Sequence, residues 1–168
     1  MDPRYPIGRF EPKPSPTQAD LRKWVSEIAN LPANLRAAVA QLPEGGLDRP
    51  YREGGWTGRQ VVHHLADSHI NAYVRTRFAL AEEIPVIMPY NEAVWAEFED
   101  AARGPVDASL ALLGALHQRW VMLFESLTRE QWRRRFRHPE LGESDLLRQA
   151  AMYAWHGRHH LAHLALIR

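Results

Sequence analysis

The C-terminal segment Trp155-His156-Gly157-Arg158-His159-His160-Leu161-Ala162-His163 places four histidines within eight residues. Its neighbourhood has the pattern of a helix, on which residues four apart lie above one another on the same face. The segment offers two such pairs, His156 with His160 and His159 with His163. Their Cβ atoms would be roughly 5–6 Å apart, so two imidazoles can bind one ion at metal–nitrogen distances of about 2.0–2.1 Å. The segment therefore predicts a metal site on the last helix, and helix geometry leaves both pairs open.

A second cluster of histidines on an earlier helix can supply a third ligand. His64 borders the apolar stripe of that helix, whereas His63 points about 100° away from it. We therefore expect His64 to face inward as the third ligand, and His69 to be exposed or to support a ligand from behind. Seven of the nine histidines fall into these two clusters, which favours a functional metal site over scattered surface histidines.

The composition limits the partners and the ligands. A chain of 168 residues, 45% hydrophobic and 24% charged, is long enough for one domain with its own hydrophobic core. The absence of cysteine excludes disulfides and thiolate ligands, so His, Asp or Glu must hold any metal. A formal charge of +1 gives no attraction to nucleic acid or to an anionic membrane, and we expect neither partner. With no signal-peptide pattern and no run of ~20 apolar residues, we expect a cytoplasmic protein.

Apolar residues at helical spacing, with capping signals, predict the first two long helices. The first begins after Thr17, and we expect Pro32 to interrupt it because proline lacks the N–H that an inner helical turn needs. The second starts at the capping box Thr57-Gly58-Arg59-Gln60 and runs to about Ala81.

Two more long helices complete the prediction. The third follows Pro105, and we expect Ser144 to cap the fourth. The capping box Thr128-Arg129-Glu130-Gln131 predicts a short helix between them, and another is expected around residues 92–98 of the long connection 84–105. No stretch alternates convincingly with the period of a strand, so we predict an all-α four-helix bundle forming one domain over residues 1–168.

Several segments of the chain are similar to those of a known family. These segments are Tyr5-Pro6-Ile7-Gly8-Arg9-Phe10, Tyr51-Arg52-Glu53-Gly54-Gly55-Trp56-Thr57, Val61-Val62-His63-His64-Leu65-Ala66-Asp67-Ser68-His69, Pro89-Tyr90-Asn91-Glu92, His138-Pro139 and Trp155–His163. In them the chain resembles the YfiT-type metal-dependent hydrolases of the DinB-like superfamily. The resemblance implies a bundle with up-down-down-up connectivity and one divalent ion, zinc or nickel, bound by three histidines. Carried over by motif position, these ligands are His64, His156 and His160.

The same resemblance implies an enzyme acting on a small-molecule substrate. Three neutral imidazoles leave a Zn²⁺ ion with an open position that can bind and activate a water, which predicts a metal-dependent hydrolase. The alternative is a thiol S-transferase using a low-molecular-weight thiol of the bacillithiol type, since the same position can bind a thiolate. A third reading is a non-catalytic stress protein whose histidines bind a metal structurally. Asp67, three residues after His64, could orient a ligand or act as a base.

We also expect the side chains of Tyr90, Glu92, Trp95 and Trp155 to border the substrate site. Five prolines predict that residues 1–16 form an extended arm rather than a helix or an inner strand. The aromatic residues of this arm need covering, and proteins of this family often pair, so we expect a homodimer.

Overall fold

The computed structural model describes residues 2–167, in which four long helices are joined by short elements. The long helices are α1 (Gln18–Ala40), α2 (Gly58–Ala81), α5 (Val106–Glu125) and α6 (Leu146–Leu164). The short elements are α3 (Glu92–Trp95), α4 (Glu99–Arg103), two 3₁₀ turns (Gly46–Asp48 and Gln131–Arg133) and strands β1 (Arg135–His138) and β2 (Gly142–Asp145). None of the described helices combines the length and the apolarity that crossing a membrane requires.

The long helices are arranged around the bundle in a different order from their order in the chain. Helices α1 and α2 each pack against both α5 and α6, so α1 and α2 lie across the bundle from each other. Helix α5 runs parallel to α2, as two hydrogen bonds show. Ser109 near the start of α5 bonds to His63 near the start of α2, and Trp120 near the end of α5 bonds to Thr76 near the end of α2.

Helix α6 runs in the opposite direction to α2. The Gln149 side chain near the start of α6 donates to the carbonyl of Ala72. His64, about two turns before Ala72 on α2, contacts His156, which follows Gln149 on α6. Helix α1 is parallel to α6, since Leu21 shares a cluster with Leu146 at one end and Leu35 shares another with Leu164. The connectivity is therefore up-down-down-up, as predicted.

Two of the predicted helix starts are confirmed by their caps. The Thr57 hydroxyl accepts from the Gln60 N–H at 3.2 Å, and the Gln60 side chain accepts from the Thr57 N–H at 3.0 Å. Thr17 forms an equivalent box with Asp20 at the start of α1. These reciprocal bonds satisfy two N–H groups that have no partner in the first helical turn.

Two predicted helix boundaries are wrong. Helix α1 continues through Pro32 without a break, because packing on α5 and α6 holds it over 23 residues. The cap of α6 is Asp145 rather than Ser144: the Asp145 carboxylate accepts from the Arg148 N–H at 2.8 Å, while Ser144 lies in β2 opposite Phe136 of β1.

The helical prediction also missed a small antiparallel hairpin. Strands β1 and β2 pair with Arg135 opposite Asp145, and Gly142 at the turn takes the positive φ of 79° that glycine adopts without steric cost. Arg135 and Arg137 both pair with Glu143 across the strands. Only Phe136 of β1 is buried, so four residues with one apolar side chain carried too little alternation to be recognised.

The interior of the bundle consists of two apolar clusters with polar side chains between them. One cluster is centred on the buried side chains of Ile28, Trp120, Phe124, Leu146 and Tyr153. The other is centred on Leu31, Leu35, Leu65, Leu113 and Leu164. Successive turns of each long helix therefore pass from one cluster to the other. Along their helices, the buried residues His69, His117, His159 and His160 lie between the two clusters, and with the partly buried His156 they form a polar layer across the bundle.

The N-terminal arm lies against the end of this layer. Residues 2–16 contain no helix or strand, as the prolines predict. The Tyr5 ring lies 6.1 Å from the His159 ring, and the Phe10 ring lies 6.0 Å from the Trp155 ring, measured between centroids. Two aromatic residues of the arm thus contact the bundle, while Ile7 remains 42% exposed.

Candidate metal centre

Three histidines from two antiparallel helices converge in the polar layer. His64 comes from α2, and His156 and His160 come from consecutive turns of α6. Their candidate ligand nitrogens all lie within 4.8 Å of one another, and the Nε2 atoms of His64 and His156 are 3.2 Å apart. Two nitrogens bound to one tetrahedral zinc at about 2.0–2.1 Å would lie roughly 3.3 Å apart, so this separation fits a shared ion.

The environment keeps these three rings neutral. Burial lowers the pKa of His64 to about 4, and the neighbouring charges of His159 and His163 act in the same direction. Desolvation likewise holds the pKa of His156 and of His160 well below the usual range. A neutral imidazole offers a lone pair, whereas a protonated ring offers none. The donor set therefore suits a divalent ion at neutral pH.

A second group of histidines, on α6 alone, also has ligand nitrogens within 4.8 Å of one another. It consists of His159, His160 and His163, and so it shares His160 with the first group. His160 approaches His163 through Nδ1, at 3.2 Å from the Nδ1 of His163, which leaves its Nε2 for the first group. The Nδ1 atom of His159 is buried and has no hydrogen-bond partner among residues 2–167. Both helical pairs left open by the sequence thus belong to a histidine group.

Aromatic rings from the connection before α2 and from α6 itself cover both groups. The Trp56 ring lies 4.7 Å from that of His64, and Tyr51 stacks on His163 at 4.0 Å. Trp155 stacks on His159 at 4.5 Å, measured between ring centroids. Such rings exclude water from the flanks of the imidazoles and limit how far they can rotate.

The three histidines His64, His156 and His160 line a cavity of about 1080 Å³. Of the residues expected to border a substrate site, Tyr90, Glu92 and Trp155 line it. Trp95 is not in the lining but packs on Tyr90, with ring centroids 4.6 Å apart. The volume of the cavity exceeds the upper end of the roughly 300–1,000 Å³ typical of small-molecule pockets, so there is room for a substrate next to the histidines.

Asp67 lies apart from this cavity. Its carboxyl group is half-buried, and desolvation, followed by the charge of Asp100, raises its pKa. Among the described residues, Asp67 is not in the cavity lining. Its role as a base stays a prediction, and in this structure Asp67 would need to move or to act through another group.

Three further buried histidines, His63, His69 and His117, are not in the cavity lining. His63 donates from Nε2 to the Gly104 carbonyl at 3.1 Å and accepts from the Ser109 hydroxyl at 2.7 Å, which ties α2 to the start of α5. His69 is fully buried, so of its two expected positions the exposed one is wrong, and the position behind a ligand agrees with its contact to His156. It lies between His156 and His117 and contacts both.

Sequence reasoning missed His117, which is 1% exposed in the centre of α5. A signal was present, because His117 occupies one position of the buried stripe formed by Leu110, Leu113, His117, Trp120 and Phe124. A polar residue within such a stripe is a candidate for a buried hydrogen-bonding role.

Comparisons with known proteins agree with this architecture. The model of the family described as the DinB superfamily matches residues 27–164. Proteins of Bacillus cereus strains 03BB102 and B4264, each bearing the name "Putative metal-dependent hydrolase", are 50% identical over 167 residues, covering 99% of this chain and 96% of theirs. The solved structure of YfiT from Bacillus subtilis superimposes with a TM-score of 0.94 at 43% identity, over 98% of this chain and 95% of that one. That protein is described as "a probable metal-dependent hydrolase with an unusual four-helix bundle topology". The fold, the placement of the histidines and these matches together show that the chain belongs to the DinB superfamily.

Proposed function

We propose that this protein is a metal-dependent hydrolase that binds one divalent ion, zinc or nickel, through His64, His156 and His160. The observation that carries the proposal is the meeting of three neutral imidazoles from two helices at the wall of a large cavity. Held by these three histidines, a divalent ion would act as a Lewis acid that lowers the pKa of water toward ~7, and this chemistry would supply a nucleophile at neutral pH. The names of the relatives support the same class of reaction.

The open side of the site favours an enzyme over a structural metal centre. Structural zinc sites are normally closed by four protein ligands. Among residues 2–167, the group around His64 contains three candidate ligands, and all three line the cavity. Since a small molecule in the cavity would lie next to these ligands, the arrangement suits catalysis.

Other residues of the cavity wall can bind and orient a substrate. Burial raises the pKa of Tyr90, so its hydroxyl stays protonated and can donate a hydrogen bond. Arg52, Arg75 and Arg148 also line the cavity. Their guanidinium groups provide donors for a carboxylate or a phosphate on a small-molecule substrate.

The same cavity supports a second candidate, a thiol S-transferase. A volume of about 1080 Å³ can hold a low-molecular-weight thiol together with an electrophilic partner. The protein would then position the thiol sulfur at the place where a hydrolase positions water. The two functions differ in the nucleophile and share the histidine ligands.

An activity comparison tests the proposal. Protein treated with a chelator and reloaded with zinc or nickel is assayed against a panel of activated esters and amides. A parallel assay uses a small thiol with a chlorodinitrobenzene electrophile. We expect hydrolysis that is lost on chelation, restored by metal and absent from His64→Ala, while His63→Ala keeps it. Acceleration of the thiol reaction alone would favour the transferase, and hydrolysis that persists with chelator would contradict a metal-dependent enzyme.

A cytoplasmic location and a homodimer remain part of this proposal. The apolar side chains of Met88 (81% exposed) and Phe98 (52% exposed), on the long connection, are available for a second copy of the chain.

A further inference from the structure

Pro32 leaves one backbone carbonyl of α1 without its helical partner. In an α-helix the carbonyl of residue 28 accepts from the N–H of residue 32, and proline has no N–H. The Ile28 carbonyl instead accepts a hydrogen bond from Nδ1 of His117, at 2.6 Å. The residue predicted to break the helix thus exposes an acceptor to the interior of the bundle.

From this carbonyl, a chain of two histidines, His117 and His69, leads to the candidate metal ligand His156. The Nε2 atom of His117 lies 2.9 Å from Nδ1 of His69. The Nε2 atom of His69 lies 3.2 Å from Nδ1 of His156. His69 and His117 are 0% and 1% exposed, so water does not compete for these contacts. The chain crosses the bundle from α1 through α5 and α2 to α6.

The carbonyl at one end fixes the direction of every hydrogen bond in the chain. A carbonyl oxygen only accepts, so the proton of His117 is on Nδ1. A neutral ring carries one proton, which makes Nε2 of His117 an acceptor and places the proton of His69 on Nδ1. By the same step, Nε2 of His69 accepts and the proton of His156 is on Nδ1. The remaining nitrogen of His156, Nε2, then carries the lone pair and faces His64 at 3.2 Å.

We propose that His117 and His69, anchored on the carbonyl that Pro32 leaves free, are positioning residues that hold His156 in the tautomer able to bind the ion. This inference rests on the metal site of the proposed function, and it adds a set of residues that face neither the cavity nor the ion. Without the chain, His156 could carry its proton on Nε2, where it would block the lone pair. Ligating histidines commonly owe their tautomer to a hydrogen bond at the other ring nitrogen.

The tautomers can be measured in the metal-free protein. Long-range ¹H–¹⁵N correlation spectra of ¹⁵N-histidine-labelled protein at pH 7.5 distinguish a protonated Nδ1 from a protonated Nε2. We expect His156, His69 and His117 all to be protonated on Nδ1. A proton on Nε2 of His156 would overturn the proposal, whatever the protein's affinity for metal. Failure of the wild-type protein to bind zinc or nickel would instead overturn the proposed function and leave the tautomer result to decide this inference.

Matched variants separate positioning from general packing. His69→Leu and His117→Leu remove links of the chain, while His63→Leu removes another buried histidine of α2, one that makes two hydrogen bonds outside the chain. Outer-shell substitutions typically lower metal affinity by about 10–100-fold. We expect a loss in that range for His69→Leu and a change below about threefold for His63→Leu, with His156 in His69→Leu no longer confined to the Nδ1-protonated form. Equal losses in the two variants would contradict the proposal, and the wild-type spectrum decides it if a variant does not fold.

Pro32→Ala tests the anchor itself. Alanine restores an N–H that competes with His117 for the Ile28 carbonyl. We expect a more heat-stable helix, as the propensity of alanine implies, together with a shifted resonance of the His117 Nδ1 proton and weaker zinc binding. A gain in heat stability with that resonance and the affinity unchanged would remove Pro32 from the proposal.

Discussion

Lowering the pH should unfold the metal-free protein in a range set by its buried histidines. Burial lowers the pKa of both His64 and His117 to about 4, whereas an unfolded histidine titrates near 6.5. Between these two pKa values, histidines of the unfolded state are protonated while the same residues of the folded state are not. The stabilisation is complete above about pH 6.5 and is lost as the pH falls from 6.5 toward 4.

The expected size of the effect follows from these pKa values. Between pH 7 and pH 5, one histidine shifted from 6.5 to about 4 reduces the free energy of unfolding by roughly 2 kcal/mol. His64 and His117 together contribute roughly 4 kcal/mol, and His69, His156 and His160 act in the same direction. A domain of this size has a total stability of about 5–15 kcal/mol, so the metal-free protein should lose much of its stability at pH 5.

The assay is urea denaturation of chelator-treated protein at pH 7, 6 and 5, followed by circular dichroism at 222 nm. The carboxylates of Asp20 and Glu143 also have lowered pKa values, through hydrogen bonds to Lys13 and to Arg137, but they titrate below the histidine range. A change of stability below about 1 kcal/mol between pH 7 and pH 5 would refute the assignment of neutral, buried histidines.

Three further predictions concern the metal, the core and assembly. Removing the metal with a chelator at pH 7.5 should leave the helical circular dichroism intact, since a core of this size supports the fold. Adding the metal back at 100 times its Kd should raise the free energy of unfolding by about 2.7 kcal/mol, or the Tm by roughly ten degrees at most. Loss of the helical signal at 25 °C would make the ion a structural requirement. Leu113→Ala should cost about 2–5 kcal/mol in urea denaturation because Leu113 is 0% exposed, whereas Leu141→Ala, at 81% exposure, should change stability by under about 0.5 kcal/mol; equal effects would contradict the described core. Light scattering at micromolar concentration should give the mass of a homodimer, and a monomer mass of 19.3 kDa would count against it.

The main helices could be predicted from sequence because their signals are local. The box of Thr57 with Gln60 fixes the start of α2, and the apolar stripe of α5 repeats over several turns. Pro32 misled the prediction, since the cost of a missing N–H is a local quantity and the packing that offsets it is not. The hairpin could not be predicted for a related reason. Only Phe136 in β1 is buried, and the pairing of Arg137 with Glu143 across the strands has no local signature in the sequence.

The candidate ligands could be predicted from sequence, and a position for His69 behind a ligand was one of two expectations, whereas the role of His117 could not be predicted. His156 and His160 are four apart on one helix, so their proximity follows from helix geometry alone. His117 is far from either cluster in the chain, and its contact with His69 depends on the parallel packing of α2 and α5. The overlap of the two histidine groups at His160 also required the tertiary structure, because the first group includes His64 from α2.

Metal content measured across histidine variants tests the central claim most directly. Each protein is equilibrated with zinc or nickel, dialysed and analysed for metal by elemental analysis. We predict one equivalent in the wild-type protein, a sharp loss in each of His64→Ala, His156→Ala and His160→Ala, and retention in His63→Ala and His159→Ala. Loss of the ion in His159→Ala with retention in His64→Ala and His156→Ala would place it in the group formed on α6 alone and would contradict the site proposed for this protein.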